Sequence, residues 1–405
     1  MTSCRNGPLV LATLAIGLTA PAAAFGQAVA TPQEVGPYDP IGVRAGSFFI
    51  FPSLTVSEMY DDNVYAEPDD EDDDLITLVE PVVRIESNFS RHRLAFEAGG
   101  EVAFHINEED EDYQDFYGAT EGTLDITRNS NLTAGIQAGR DHEGRDDVEE
   151  GDPTDDLSEY WRYQTDLSYF HAFNRLNFRV GGDAQRRAYI QEEEADRDVN
   201  IYNAILRTGF FVSPRINTFV QGLYNIQRRD QTPDDAGIDR DSEGWGVSVG
   251  AELGFTELLT GELGFGYRLQ TFEEEDTDDQ SGFGFNGGLT WLPTQLTTVN
   301  LIAGSDFEPT DTADAEARFQ NFGVLQVDHE LLRNVILNGL VGYSRDDFEG
   351  IDRVDDTLDV GAGVSYLLNR NFSIDGGYTF TKRWSDLETE EFTRNRIRVG
   401  VTARL

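Results

Sequence analysis

The chain has 405 residues, with 31 Lys and Arg against 75 Asp and Glu and a formal net charge of −44. Such acidity often marks disorder, but disordered chains are poor in aromatics, and 11% of these residues are Phe, Trp or Tyr. The charge also argues against nucleic acid as a partner, because phosphate binding needs a basic face.

In chain order, residues 1–28 read as a cleaved signal peptide. Arg5 supplies a weak positive start, Pro8 to Ala20 the apolar run, and small residues follow, with cleavage after Ala24 or Ala28. The run is short of the ~20 apolar residues a spanning helix needs. Cys4, the only cysteine, leaves with this segment, so the mature chain should hold no thiolate metal site or cysteine nucleophile. Residues 29–45 are expected to be a flexible periplasmic lead-in, and residues 46–405 an outer-membrane barrel.

From Ser47 onward one unit recurs: a run alternating apolar with small or polar residues, then a short turn or a long acidic loop. Period two marks a strand with two different faces. Trp245, Val247, Val249, Ala251, Leu253 and Phe255 share one face of their run, and Gly246, Ser248, Gly250, Glu252 and Gly254 the other. The last run sets Ile397, Val399, Val401, Ala403 and Leu405 against Arg398, Gly400, Thr402 and Arg404. A soluble sandwich alternates too, but its strands are typically ~5–6 residues long. These runs match the ~9–11 residues of a tilted membrane strand. Their polar faces carry glycine and both signs of charge, as a wet lumen does. Tyr160, Trp161, Tyr163, Trp291, Tyr378 and Trp384 fall near run ends, where interfacial girdles sit.

Eight short turns are expected, near 90–92, 128–131, 173–175, 213–215, 256–258, 293–295, 332–334 and 369–371. They alternate with nine long acidic connectors, near 61–74, 107–115, 143–156, 191–198, 230–240, 273–279, 308–313, 347–353 and 385–391. The predicted fold is therefore all-β: a transmembrane antiparallel up-and-down β-barrel of about 18 strands, with 16 as the fallback. The short turns are periplasmic and the acidic loops extracellular. The last strand, from Thr393, should close the ring against the first near residues 48–56. It carries Gly400 and Leu405 at places read by the barrel assembly machinery, with Leu405 where a terminal Phe is usual.

Alternation turns Arg162, Arg179, Arg187, Arg207, Arg268, Arg394, Arg396 and Arg398 into the lumen, together with Glu97, Glu101, Glu252 and Glu262. They form either a constriction that sorts permeants by charge or salt bridges on a wet wall. No loop reads as a dedicated plug, although a long loop could fold inward. The stretch Asp61–Asp74 holds nine acidic residues and no basic one. Asp69, Asp70, Glu71 and Asp72 suit diffuse binding of divalent cations, without the spacing of a specific metal site. Asp141 beside His142 is the pairing closest to hydrolase chemistry, but no activated Ser or Cys accompanies it. Neither enzyme activity nor a cofactor is expected.

The stretch Gly42–Ala66 (GVRAGSFFIFPSLTVSEMYDDNVYA) resembles the opening of the putative beta-barrel porin 2 family. Arg44, Gly46, Phe48, Pro52, Ser53, Leu54, Tyr60, Asp61, Asp62, Asn63, Val64 and Tyr65 carry the resemblance. It implies an outer-membrane barrel, in some members associated with exopolysaccharide or capsule gene clusters, and it brings no catalytic residues. The expected function is a porin-like channel for ions, small solutes or exopolysaccharide. The alternative is a structural or surface-interaction barrel with a closed lumen. Expected partners are outer-membrane lipid, lipopolysaccharide and the barrel assembly machinery.

Overall fold

The computed structural model describes residues 36–69, 71–147, 157–234, 237–256, 258–274, 279–310, 312, 315 and 317–405. The signal peptide expected over residues 1–28, and Asp70, lie outside them. The strands are β1 (Val43–Ala45), β2 (Phe48–Asp61), β3 (Asp74–Ser87), β4 (Arg93–His105), β5 (Gln114–Thr127), β6 (Ser130–His142), β7 (Glu159–Phe173), β8 (Leu176–Tyr189) and β9 (Val199–Ser213). They continue with β10 (Ile216–Arg229), β11 (Ser242–Thr256), β12 (Leu259–Phe272), β13 (Gln280–Thr294), β14 (Thr297–Glu308), β15 (Ala317–Leu332), β16 (Val335–Glu349), β17 (Arg353–Leu367), β18 (Phe372–Ser385) and β19 (Phe392–Arg404).

From β2 to β19 each strand pairs antiparallel with its chain neighbours, and β19 pairs with β2. Eighteen strands thus close one ring, with no edge left to pair with another chain. The seam differs from expectation in register. β19 runs against Ser53–Asp61 rather than residues 48–56, from Arg404↔Ser53 to Arg396↔Asp61. The start of β2 is free for β1, which folds back on it as Val43↔Ile50 through Ala45↔Phe48. Strand pairing therefore begins inside the stretch read as a lead-in. A Cβ on Gly400 would lie 2.8 Å from the Ser57 side chain, so the close approach of β2 and β19 there requires glycine. Leu405 donates its N–H to the Pro52 carbonyl at 3.1 Å and turns an exposed side chain outward.

Short turns and longer connectors alternate as predicted, with one correction. The acidic connector expected over 347–353 is a three-residue link, 350–352, because β16 runs on to Glu349 and β17 starts at Arg353. Gly350 takes φ +92°, a left-handed conformation that lets the chain reverse sharply and that other residues adopt at a cost. The acidic residues Asp346 and Asp347 belong to a paired strand end, not to a loop.

Alternation sorts the faces. Trp245, Val247, Val249, Leu263, Phe265, Phe283, Ile397, Val399 and Val401 are exposed on the outside of the ring. Aromatic clusters sit toward both rims of this apolar band. Tyr169, His171, Phe173 and Phe178 stack near the short-turn end. Phe116, Trp161 and Tyr163 do so near the long-loop end. The opposite face of every strand lines the lumen. Among the described residues no helix is long and apolar enough to cross a membrane.

Candidate functional site

The site is the lumen, and its two walls differ. On the first wall, from β18 through β19 to β6, side chains fill the space. Ile76, Leu78 and Ala103 make a small apolar cluster with Met59 and Tyr113 on the inner face of β2–β4. Around it the charges pair. Arg394 grips the fully buried Asp61 across the seam, at 2.6 Å through Nη2 and 2.8 Å through Nε. Arg398 pairs with Glu80 and donates to the Ser57 hydroxyl at 2.8 Å. Thr381 donates to Asp359 at 2.7 Å. A buried ion pair offsets its desolvation only when such hydrogen bonds are complete, and losing one partner leaves a costly charge behind.

A loop adds to this filling. Residues 143–147, part of a long connector that the sequence left free to fold inward, follow β6 and do so as a strap. Arg145 is held in a bidentate grip by Glu111, at 2.7 and 3.1 Å, with both side chains buried. The next residue, Asp146, reaches the arginines of β18 and β19. Its carboxylate lies 3.6 Å from Arg394 and 3.8 Å from Arg396, and Arg383 donates to its backbone carbonyl. Desolvation opposes ionisation of Asp146, but Arg394, Arg396 and Arg383 outweigh it and hold the carboxyl below its usual range. Glu143, at the start of the strap, is buried beside Arg197 and Tyr189. Burial pushes its carboxyl up to about 7 despite the attraction of Arg197.

The second wall, β8 to β13, is lined by amides, glycines and serines. Gly246, Ser248 and Gly250 on β11, Gly264 and Gly266 on β12, and Gly282, Gly284 and Asn286 on β13 all face inward. Small side chains leave room. Three recesses of about 310, 750 and 350 Å³ follow one another down this wall. Gln227 and Gln270 border both the first and the second, and Leu223 and Arg268 both the second and the third. Asn203 donates to Asp183, and Asn225 to Asn203, at 2.9 and 2.8 Å, so the polar lining is ordered around the wall. Near the outer end, Arg240 donates to the carbonyls of Thr310 and Ala315, tying together the loops after β10 and β14.

The arginines and glutamates assigned to the lumen from the sequence stand on the inner face by strand alternation. Arg207 pairs with Glu262 at 2.7 Å and Glu252 at 3.2 Å, and Arg179 is close enough to Arg207 to feel its charge. Arg268 pairs with Asp306, Arg162 with Asp141 at 3.1 Å, and Arg187 lies over the Tyr160 ring. Glu97 and Glu101 accept hydrogen bonds from Tyr117 and Tyr113, not from arginine. The Asp141–His142 pairing does not form: His142 bonds Asp115 at 2.8 Å and stacks on Tyr113, while Asp141 faces Arg162. Asp69, Glu71 and Asp72 are exposed. Among the described residues no group of three His, Cys, Asp or Glu is placed to hold a metal. Sequence reasoning missed Arg383, the strap and the amide lining. Inward Gln164, Gln185 and Gln227 were visible in the alternation, but the weight was put on charge.

The family model described as "Putative beta-barrel porin 2" matches residues 36–405. The chain belongs to this family. No match was found among curated proteins. Among solved structures, OpdL of Pseudomonas aeruginosa matches at 13% identity and TM-score 0.44, over 89% of this chain and 100% of that one. OccAB3 of Acinetobacter baumannii matches at 9% identity and TM-score 0.45, over 89% and 100%. The siderophore receptor PirA of Pseudomonas aeruginosa matches at 7% identity and TM-score 0.41, over 88% and 80%. The porin-like barrel of the family is the frame in which the lumen acts.

Proposed function

We propose that this family member is an outer-membrane channel that passes ions and small solutes along its β8–β13 wall. The observation that carries the reading is the succession of recesses down that wall, opposite the paired charges and the strap. A barrel of this strand number has an interior wide enough for an aqueous path when side chains do not fill it. The outward apolar band and its aromatic rims suit lipid and lipopolysaccharide, and the β19 end with Gly400 and Leu405 suits the assembly machinery. The paired inner charges and the net charge of −44 favour modest cation preference. Conductance of the purified protein in a planar bilayer tests the reading. Stable insertion with steps of current supports a channel, and insertion without current supports the closed structural barrel instead.

A further inference from the structure

The geometry points to the amide girdle of β6 to β12 as a recognition site for uncharged, hydroxyl-rich solutes of the sugar or polyol class. The inference rests on the channel reading and names what the channel favours.

Two neighbouring rows cross the wall at one level. In one row Gln137 pairs across strands with Gln164, and Gln164 with Gln185; Ile201 follows, and then Gln227. In the other, Asp166 is followed by Asp183, Asn203, Asn225, Gly244 and Gln270. The second row spends hydrogen bonds within the wall: Asn203 on Asp183, Asn225 on Asn203, and Gln270 on Asn225 and on Ser242. The first row does not. Among the described residues the side-chain amides of Gln164, Gln185 and Gln227 make no hydrogen bond, although Gln185 and Gln227 are only 7% exposed. All three border the 750 Å³ recess.

None of these amide atoms is sealed from the lumen, so water can meet them until a solute takes its place. Here a guest in the recess can meet them. An amide offers one acceptor and two donors from a single side chain, and a sugar hydroxyl both donates and accepts. Spaced amides therefore suit a solute whose neighbouring hydroxyls alternate roles. Positive charge is not what this stretch offers: Arg268, its one guanidinium, is paired with Asp306, and Asp183 and Glu308 also line the recess. Ile201 and Leu223 add apolar surface for the C–H face of a sugar ring.

The test is block of ion current in a planar bilayer by sucrose or maltotriose, with a polyethylene glycol of equal hydrodynamic size as the control. The polymer enters by size but offers no chain of hydroxyl donors. The account expects the sugars to reduce current at concentrations where the polymer does little. The triple variant Gln164→Ala, Gln185→Ala, Gln227→Ala should raise the half-blocking sugar concentration about tenfold, which is the loss of one or two net hydrogen bonds. Gln164→Asn alone should keep most of the block. Unboiled gel migration checks that each variant is assembled. Equal block by sugar and polymer, or an unchanged triple variant, overturns the site while leaving the channel standing. Insertion without any current overturns the channel reading and the site with it.

Discussion

The β18–β6 wall and the β8–β13 wall are built from the same alternating strands in one continuous hydrogen-bonded ring, yet they do opposite things to the lumen. The first turns arginine, carboxylate and tyrosine inward and adds a loop, so its charges neutralise one another in place. The second also carries charge, Arg207 being paired with Glu252 and Glu262, but it turns glycine, serine and amides inward along its recesses, which removes side-chain volume and leaves polar capacity. Barrel closure needs only the backbone ladder and the outward apolar face. The inner face is free to vary around the ring. The division of labour is therefore carried by every second residue, with a buttress on one side and a path on the other.

The largest expected effect comes from breaking the buttress. Arg394→Ala leaves Asp61, which is fully buried, without its partner. Removal of one member of a buried pair costs about 3–5 kcal/mol. The unfolding temperature read from unboiled gels should fall clearly, whereas Ser248→Ala on the other wall should leave it nearly unchanged. The pair Asp61→Asn with Arg394→Gln should recover much of the loss. Equal sensitivity of the two walls would dissolve the comparison.

Next in size is the strap. Asp146→Ala removes the carboxylate that faces Arg394 and Arg396, so residues 143–147 should lift away from β18 and β19 more often. Single-channel conductance should rise up to roughly twofold if the freed half of the lumen then carries current as well. Assembly should be unaffected, because the strap lies outside the ladder.

The pH response should be smaller and has two signs. Glu143 has its carboxyl raised from 4.5 to about 7, so its contribution to docking is full below about 4.5 and is lost as pH rises through about 7. Asp146 is depressed, so its contribution is present above the ordinary carboxylate range of ~4 and is lost as pH falls below it. The strap should hold best in mild acid and loosen toward neutrality. Conductance should climb modestly between about pH 5 and pH 7.5, and Glu143→Gln should flatten that rise.

The smallest effect is expected at the mouth. Changing Asp69, Glu71, Asp72 and Asp73 to amides should weaken cation preference slightly at low salt, read as a reversal potential. These side chains are exposed, and their field reaches only a Debye length, ~10 Å at 0.1 M salt. By ~1 M salt, with the length near ~3 Å, wild type and variant should converge.

Strand number and facing were legible because period two and the turn residues are local signals. Trp245 to Gly254 announced its two faces within ten residues, and Asn174, with φ +53° in a two-residue turn, is the kind of residue such turns favour. What stayed hidden was non-local. Nothing near Asp146 in the sequence reveals that Arg383, Arg394 and Arg396 lie opposite it, more than 200 positions away. The exit of Asp141 toward Arg162, rather than His142, was equally invisible, because neighbours in sequence seldom bond each other along a strand. Acidic composition also misled at 347–353, where Gly350 was the informative residue.

The central claim, that the path follows the β8–β13 wall, is tested most directly by a matched pair of cysteines. Ser248→Cys lies beside the 350 Å³ recess on β11, and Ser57→Cys lies under Arg398 on β2, where the serine is 2% exposed. Each is treated in a conducting bilayer with a charged thiol-reactive reagent that permeates with the ions. The account predicts a prompt fall in current for Ser248→Cys and little or no change for Ser57→Cys. Equal and rapid block at Ser57→Cys, with Ser248→Cys silent, would place the path on the wall that the paired charges fill and would contradict the account.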